Sequence, residues 1–126
     1  MEKIKQLGIW MDHSHALLME LYNHMIISKR VILKPMQKEK EDNVDTHEIQ
    51  VHSKEQQQHQ SAYYNEIREI IKNYQDVLLF GPTDAKEELF NLLKADHHFE
   101  NTNIELRNTD KISENEIHEF VIDHFK

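Results

Sequence analysis

The sequence predicts a mixed α/β domain with a sheet of about five strands: a three-strand antiparallel meander, then α-β-α-β-α. Three observations predict it. Val77-Leu78-Leu79-Phe80 is apolar without alternation, the pattern of a strand covered on both faces, as central parallel strands are. Gly81-Pro82 stops that strand, because proline has no N–H for a ladder, and Asp84 with Glu87 three residues on marks a helix start. Upstream, three apolar stretches are joined by short polar connections, which implies antiparallel hairpins.

The elements follow in order. Leu7 to Asp12 reads as the first strand, with Leu7, Ile9 and Met11 on one face and Trp10 and Asp12 on the other. His13-Ser14-His15 turns the chain, and Ala16 to Leu21 alternates as a second strand. Tyr22-Asn23-His24 is the next turn. Met25 to Leu33 is a third strand, with a bend or bulge expected at Ser28-Lys29-Arg30. From Pro35 to Gln60 the composition shifts to a long loop carrying the charge cluster Lys38-Glu39-Lys40-Glu41-Asp42 and the run Gln56-Gln57-Gln58-His59-Gln60. Inside it, Glu48-Ile49-Gln50-Val51-His52 alternates weakly and is a candidate extra edge strand.

Regular order returns at Ser61. Tyr63, Ile67, Ile70, Ile71 and Tyr74 recur at helical spacing. After the Val77–Phe80 strand, a second helix is expected to turn Ala85, Leu89, Leu92 and Leu93 inward. Ile104-Glu105-Leu106 is a short strand. Ser113 and Glu116 form a capping-box pattern for the last helix, Ile112 can staple onto Ile117, and Ile117, Phe120, Val121 and Phe125 form its apolar stripe. Helices placed between strands force parallel pairing, so the sheet is mixed.

Composition bounds the function. The chain has 126 residues, 38% hydrophobic and 30% charged, which suits one compact domain, 1–126. Its net charge of -8 repels phosphate backbones and anionic membranes, so a nucleic-acid contact needs a local basic patch. The absence of cysteine removes disulfides, thiolate metal sites and a cysteine nucleophile. No apolar run is long enough to span a bilayer and no signal peptide is evident, so a cytoplasmic location is expected.

The candidate sites are few. Asp12, at a strand end, is a candidate metal-binding carboxylate for nuclease chemistry, though two-metal catalysis needs several converging carboxylates. His13 and His15 lie two apart, so on a strand they would share a face; a third ligand would make a metal site. His97-His98 is a second, separate pair. Gly81, Pro82 and Asp84 read as a structural turn, since the segment lacks the glycines and the Lys-Ser/Thr ending of a nucleotide loop. Lys29, Arg30, Lys34, Lys38 and Lys40 are the densest basic series, either an RNA-contacting arm or a strand edge guarded by lysine. No Ser-His-Asp arrangement stands out, and no cofactor is expected.

Two segments carry a resemblance. Val77-Leu78-Leu79-Phe80-Gly81-Pro82-Thr83-Asp84-Ala85-Lys86-Glu87-Glu88-Leu89 resembles the strand-Gly-Pro-x-x-x-Lys-Glu-helix signature of the middle domain of archaeal and eukaryotic class-one peptide release factors and pelota. Gly8-Ile9-Trp10-Met11-Asp12-His13-Ser14-His15-Ala16 is similar to the opening strand of their bacterial relatives. The resemblance implies a ribonuclease H-like fold and work on ribosomes or transfer RNA. Release factors place a Gly-Gly-Gln tripeptide in the loop before the first long helix. Here the only glycines are Gly8 and Gly81, and Gln56, Gln57 and Gln58 fall near that place. Gln57 is thus the candidate for the glutamine's role. Without glycine, the backbone lacks the freedom for close approach to an ester, so hydrolysis is not expected. The partner-contacting candidates on this reading are Lys38, Lys40, Lys54 and Gln56 to Gln58. The alternatives are a protein-interaction domain that homo-oligomerises through an exposed sheet edge, and the Asp12 nuclease.

Overall fold

The computed structural model describes residues 6–34 and 48–125, with side chains over 6–34 and 60–125. Five strands form one sheet in the order β3-β2-β1-β4-β5. They are β1 (Gln6–Met11), β2 (His15–Tyr22), β3 (Met25–Leu33), β4 (Asp76–Gly81) and β5 (Asn103–Asn108). The meander β1-β2-β3 is antiparallel, and β4 runs parallel to both β1 and β5. Helices α1 (Glu48–Ile71), α2 (Ala85–Lys94) and α3 (Glu114–His124) cover the sheet. Among the described residues, no helix is long and apolar enough to cross a membrane.

The non-alternating run in β4 has the expected cause. Val77 and Leu79 join a core with Tyr63, Ile67 and Ile71 of α1 and Leu89 and Leu93 of α2. Leu78 and Phe80 point the other way, into a core with Ile117 and Val121 of α3 and Phe125 just past its end. The Phe80 ring stacks on Phe120 at 4.7 Å. A strand that must satisfy two cores cannot spare a polar position.

Both glycines are consumed by this packing. A Cβ on Gly8 would lie 2.6 Å from Cγ1 of Val121, so its absence lets α3 approach β1. Gly81 has φ +151° and a Cβ there would meet the Met11 carbonyl oxygen at 2.1 Å. It therefore closes the sheet at the ends of β1 and β4 in a conformation that side chains rarely adopt.

Several expectations are corrected. The 48–52 segment is not an edge strand, and regular order does not wait for Ser61: α1 begins at Glu48. The alternation of Ile49 and Val51 is outweighed by an unbroken stretch without glycine or proline, rich in Glu, Gln and Lys, which extends the helix outward from its amphipathic part. Residues 48–60 of the expected loop are thus helical, and its 35–47 part lies outside the described residues. Strand β3 is continuous, and its register shift lies opposite Glu20/Leu21, leaving Ile27 as the extra residue. Leu92 does not face inward but is 43% exposed. Asp84 occupies the N-cap of α2, yet its side chain makes no cap bond. Thr83 Oγ1 instead accepts from the Ala85 N–H at 3.2 Å. The α3 capping box forms as predicted, with Ser113 Oγ accepting from Glu116 N–H and Glu116 Oε1 from Ser113 N–H.

Candidate functional site

The carboxyl ends of β1 and β4 gather most of the polar chemistry, where α/β sheets commonly place their sites. The chain leaves β1 through an Asx turn: Asp12 Oδ1 accepts from the N–H groups of Ser14 and His15 at 2.8 and 2.9 Å. On one side of this turn stands α1. Tyr63 donates its hydroxyl to the Asp12 carbonyl oxygen at 2.8 Å, and Gln60 Nε2 donates to the His13 carbonyl at 3.3 Å. Tyr64 donates to Glu88 Oε1 of α2 at 2.5 Å, while His13 Nε2 lies 3.4 Å from Glu88 Oε2.

Both phenols are held protonated. Burial pushes the Tyr63 hydroxyl far above its ordinary value, with the Asp12 charge and Tyr64 adding to it. Burial also raises Tyr64, followed by its hydrogen bond to and the charge of Glu88. Neither can act as a phenolate nucleophile near neutral pH; both serve as fixed donors, Tyr63 mooring α1 to the end of β1 and Tyr64 tying it to α2.

That mooring gives α1 two parts. Residues 60–71 lie along the sheet, and the helix continues through 48–59 on the far side of the Tyr63 and Gln60 anchors. At 1.5 Å per residue this outer part is about 18 Å long. Lys54, Gln56, Gln57 and Gln58 lie on it.

The expected site residues separate. Asp12 is absorbed by its turn, and among the described residues no three His, Asp or Glu side chains stand close enough to hold a metal ion. His13 and His15 do not share a strand face, because His13 lies in the turn and only His15 begins β2. His13 turns to Glu88, whereas the His15 ring packs on Trp10 at 5.0 Å. Lys29 and Arg30 diverge too. Lys29 Nζ is 3.6 Å from Glu114 of α3, and Arg30 is 3.9 Å from Glu66 of α1. The Lys34 N–H donates to the Ser14 carbonyl. Lys38 and Lys40 lie outside the described residues. Gly81 and Pro82 form the predicted turn, which Lys86, only 2% exposed, closes by donating to the Thr83 carbonyl at 2.6 Å.

Sequence reasoning missed Tyr64, Gln60, Glu88 and the burial of Lys86. The signal for Tyr64 was present: it stands three residues before Ile67 and seven before Ile71, on the same stripe. Nothing in the spacing joins Glu88 to His13.

A five-stranded mixed sheet with an antiparallel meander, two helices on one face and one on the other, is a ribonuclease H-like fold. Two structures of Pelota are among the solved structures it resembles. Archaeoglobus fulgidus Pelota matches with a TM-score of 0.62 and 9% identity, covering 98% of this chain and 32% of that one. Thermoplasma acidophilum Pelota matches with a TM-score of 0.60 and 12% identity, covering 94% and 32%. The chain therefore has a Pelota-like fold and spans about a third of the Pelota chains it matches. No protein-family model matches it, and no curated protein matches it.

Proposed function

We propose that this chain is a cytoplasmic, bacterial-branch counterpart of the middle domain of class-one release factors and pelota, forming a single domain that binds ribosomes or transfer RNA. The supporting observation is the match of nearly the whole chain to one part of Pelota. On this reading the domain does not hydrolyse peptidyl esters. Its two glycines are Gly8, pressed beneath Val121, and Gly81, pressed against Met11, so neither can loosen a loop ahead of α1. The outer part of α1, with Lys54 and Gln56 to Gln58, is the contact arm together with Lys38 and Lys40. Lys29, Arg30 and Lys34 add charge along the neighbouring β3 edge.

Co-sedimentation with ribosomes tests this. Binding is expected at about 50 mM salt and should fall steeply towards about 200 mM, as charge contacts to phosphate do. Lys54→Glu should weaken it at every salt concentration. Absence of the chain from the ribosome pellet at low salt overturns the reading. Release of peptide from a charged transfer RNA would overturn the non-catalytic part alone.

A further inference from the structure

We propose that β3 is a self-pairing edge, through which two copies of this chain join their sheets antiparallel about a two-fold axis at Lys29. The inference does not rest on the ribosome-binding reading; it assigns Lys29 and Arg30 of the β3 edge to the junction between copies and leaves Lys54 and Gln56 to Gln58 of α1 to that reading. Strand β3 is nine residues long and ends the sheet, and among the described residues no strand pairs with its outer side. It is also the most apolar exposed stretch: Met25, Ile27, Val31 and Leu33 are 63%, 51%, 60% and 65% exposed. An edge of this length with such side chains is an unsatisfied pairing surface.

Its residue order selects the occupant. A two-fold interface needs a surface complementary to itself, and for an antiparallel strand pair that means a palindrome. Met25-Ile26-Ile27-Ser28-Lys29-Arg30-Val31-Ile32-Leu33 reads nearly the same in both directions about Lys29. Ile27 then lies opposite Val31 of the second copy and Ser28 opposite Arg30, whereas past the bulge Met25 shares the face of Ser28 and falls out of line with Leu33. The bulge at Ile27 bends the Met25 end, so Ile27–Val31 is the best-matched segment. The one like-charge pair is Lys29 with its copy. A lysine in mid-edge ordinarily deters pairing, but each Lys29 ammonium has its own Glu114 carboxylate 3.6 Å away. The two ammonium groups thus enter the junction with their counter-charges on the adjacent α3.

Sedimentation of the full chain across the micromolar range tests the proposal. The expected result is a concentration-dependent rise to twice 15.2 kDa. Ile27→Lys with Val31→Lys, at half-exposed positions, should keep the circular dichroism spectrum and abolish the rise. The register has its own test, because the native chain has no cysteine. Lys29→Cys places two thiols directly opposite across the axis, within the Cα separations a disulfide spans, and should cross-link under mild oxidation. Leu33→Cys should not, since its copy stands about 26 Å away along the strands at about 3.3 Å per residue. A monomer at every concentration overturns the proposal. So does a dimer indifferent to the double lysine variant, or a Leu33→Cys chain that cross-links as readily as Lys29→Cys.

Discussion

The Tyr64 hydroxyl donates to Glu88 Oε1 at 2.5 Å, and this one bond ties α1 to α2 across the end of the sheet. The ring of Tyr64 is buried at 5% exposure, while the Glu88 side chain is half in solvent. Tyr64→Phe keeps the ring and deletes the bond. A buried hydrogen bond to a charged group contributes about 1.5–3 kcal/mol, and the exposure of Glu88 pulls the expected loss to about 1 kcal/mol. Urea unfolding of the two proteins measures it. A loss below a few tenths would show that Glu88 is satisfied by water.

The two glycines should differ in what they tolerate. Gly81→Ala meets a backbone oxygen at 2.1 Å and imposes a side chain at φ +151°, so neither strain can relax without opening the β1–β4 junction. It is expected to cost more than about 3 kcal/mol, or to prevent folding. Gly8→Ala meets only the methyl groups of Val121, which can shift as α3 lifts slightly; overpacking of that kind costs about 1–3 kcal/mol. Adding Val121→Ala to Gly8→Ala should recover part of the loss, while no side-chain change should rescue position 81.

Stability should fall at alkaline pH. Burial first, then the charge of and a hydrogen bond to Glu20, pushes the Tyr74 hydroxyl up to about 12, and Tyr63 and Tyr64 are raised further. A tyrosine unfolds to an ordinary value near 10. Above that pH the unfolded chain has lost protons that the folded chain still holds, so each pH unit removes about 1.4 kcal/mol per affected tyrosine. The contribution is complete below pH 10 and vanishes as pH rises through the folded values. Tyrosinate absorbance from these three rings should therefore appear together with loss of circular dichroism. Their titration in a fully folded protein would contradict their placement.

The two helix starts offer a matched comparison. Ser113 Oγ accepts from the Glu116 N–H and the Ser113 N–H donates to Glu116 Oε1, whereas the Asp84 side chain makes no cap bond to α2. Ser113→Ala should cost about 1 kcal/mol. Asp84→Ala should cost clearly less, retaining only the charge of a carboxylate near a helix N-terminus, about 0.3–1 kcal/mol. Thr83→Ala, which removes the hydroxyl bonded to the Ala85 N–H, is expected to exceed Asp84→Ala in thermal denaturation.

These residues also show what the sequence could reveal. The strand–turn–helix at Val77–Lys86 was legible because local rules and burial agree there: an apolar run, a stop and a helix start. The α3 cap was legible because its bonds join residues three apart. The start of α1 was not, because two β-branched residues at spacing two imitate a strand and only helix continuity decides against it. The Tyr64–Glu88–His13 contacts were hidden for a different reason. They join α1, α2 and the β1–β2 turn, and their proximity exists only after the sheet has assembled. Lys29 and Arg30 misled in the opposite way, since neighbours on a strand face opposite sides, and Glu114 and Glu66 draw them further apart.

The hairpin between β2 and β3 should be improvable. Asn23 and His24 have φ of 59° and 68°, the pair of positive values that a two-residue type I′ turn requires. Asparagine accepts this conformation readily, but histidine at the second position carries the Cβ penalty of the left-handed region, about 1–2 kcal/mol. His24 is exposed, so replacing it removes no core contact. His24→Gly restores the preferred Asn-Gly pair. The greater entropy of glycine in the unfolded chain offsets part of the relief, about 0.5–1 kcal/mol. The expected net gain is about 0.5–1 kcal/mol, read as a higher urea midpoint at unchanged slope. His24→Ala keeps the Cβ and should give none of it. If alanine stabilised as much as glycine, the histidine side chain rather than its backbone conformation would be the source of strain.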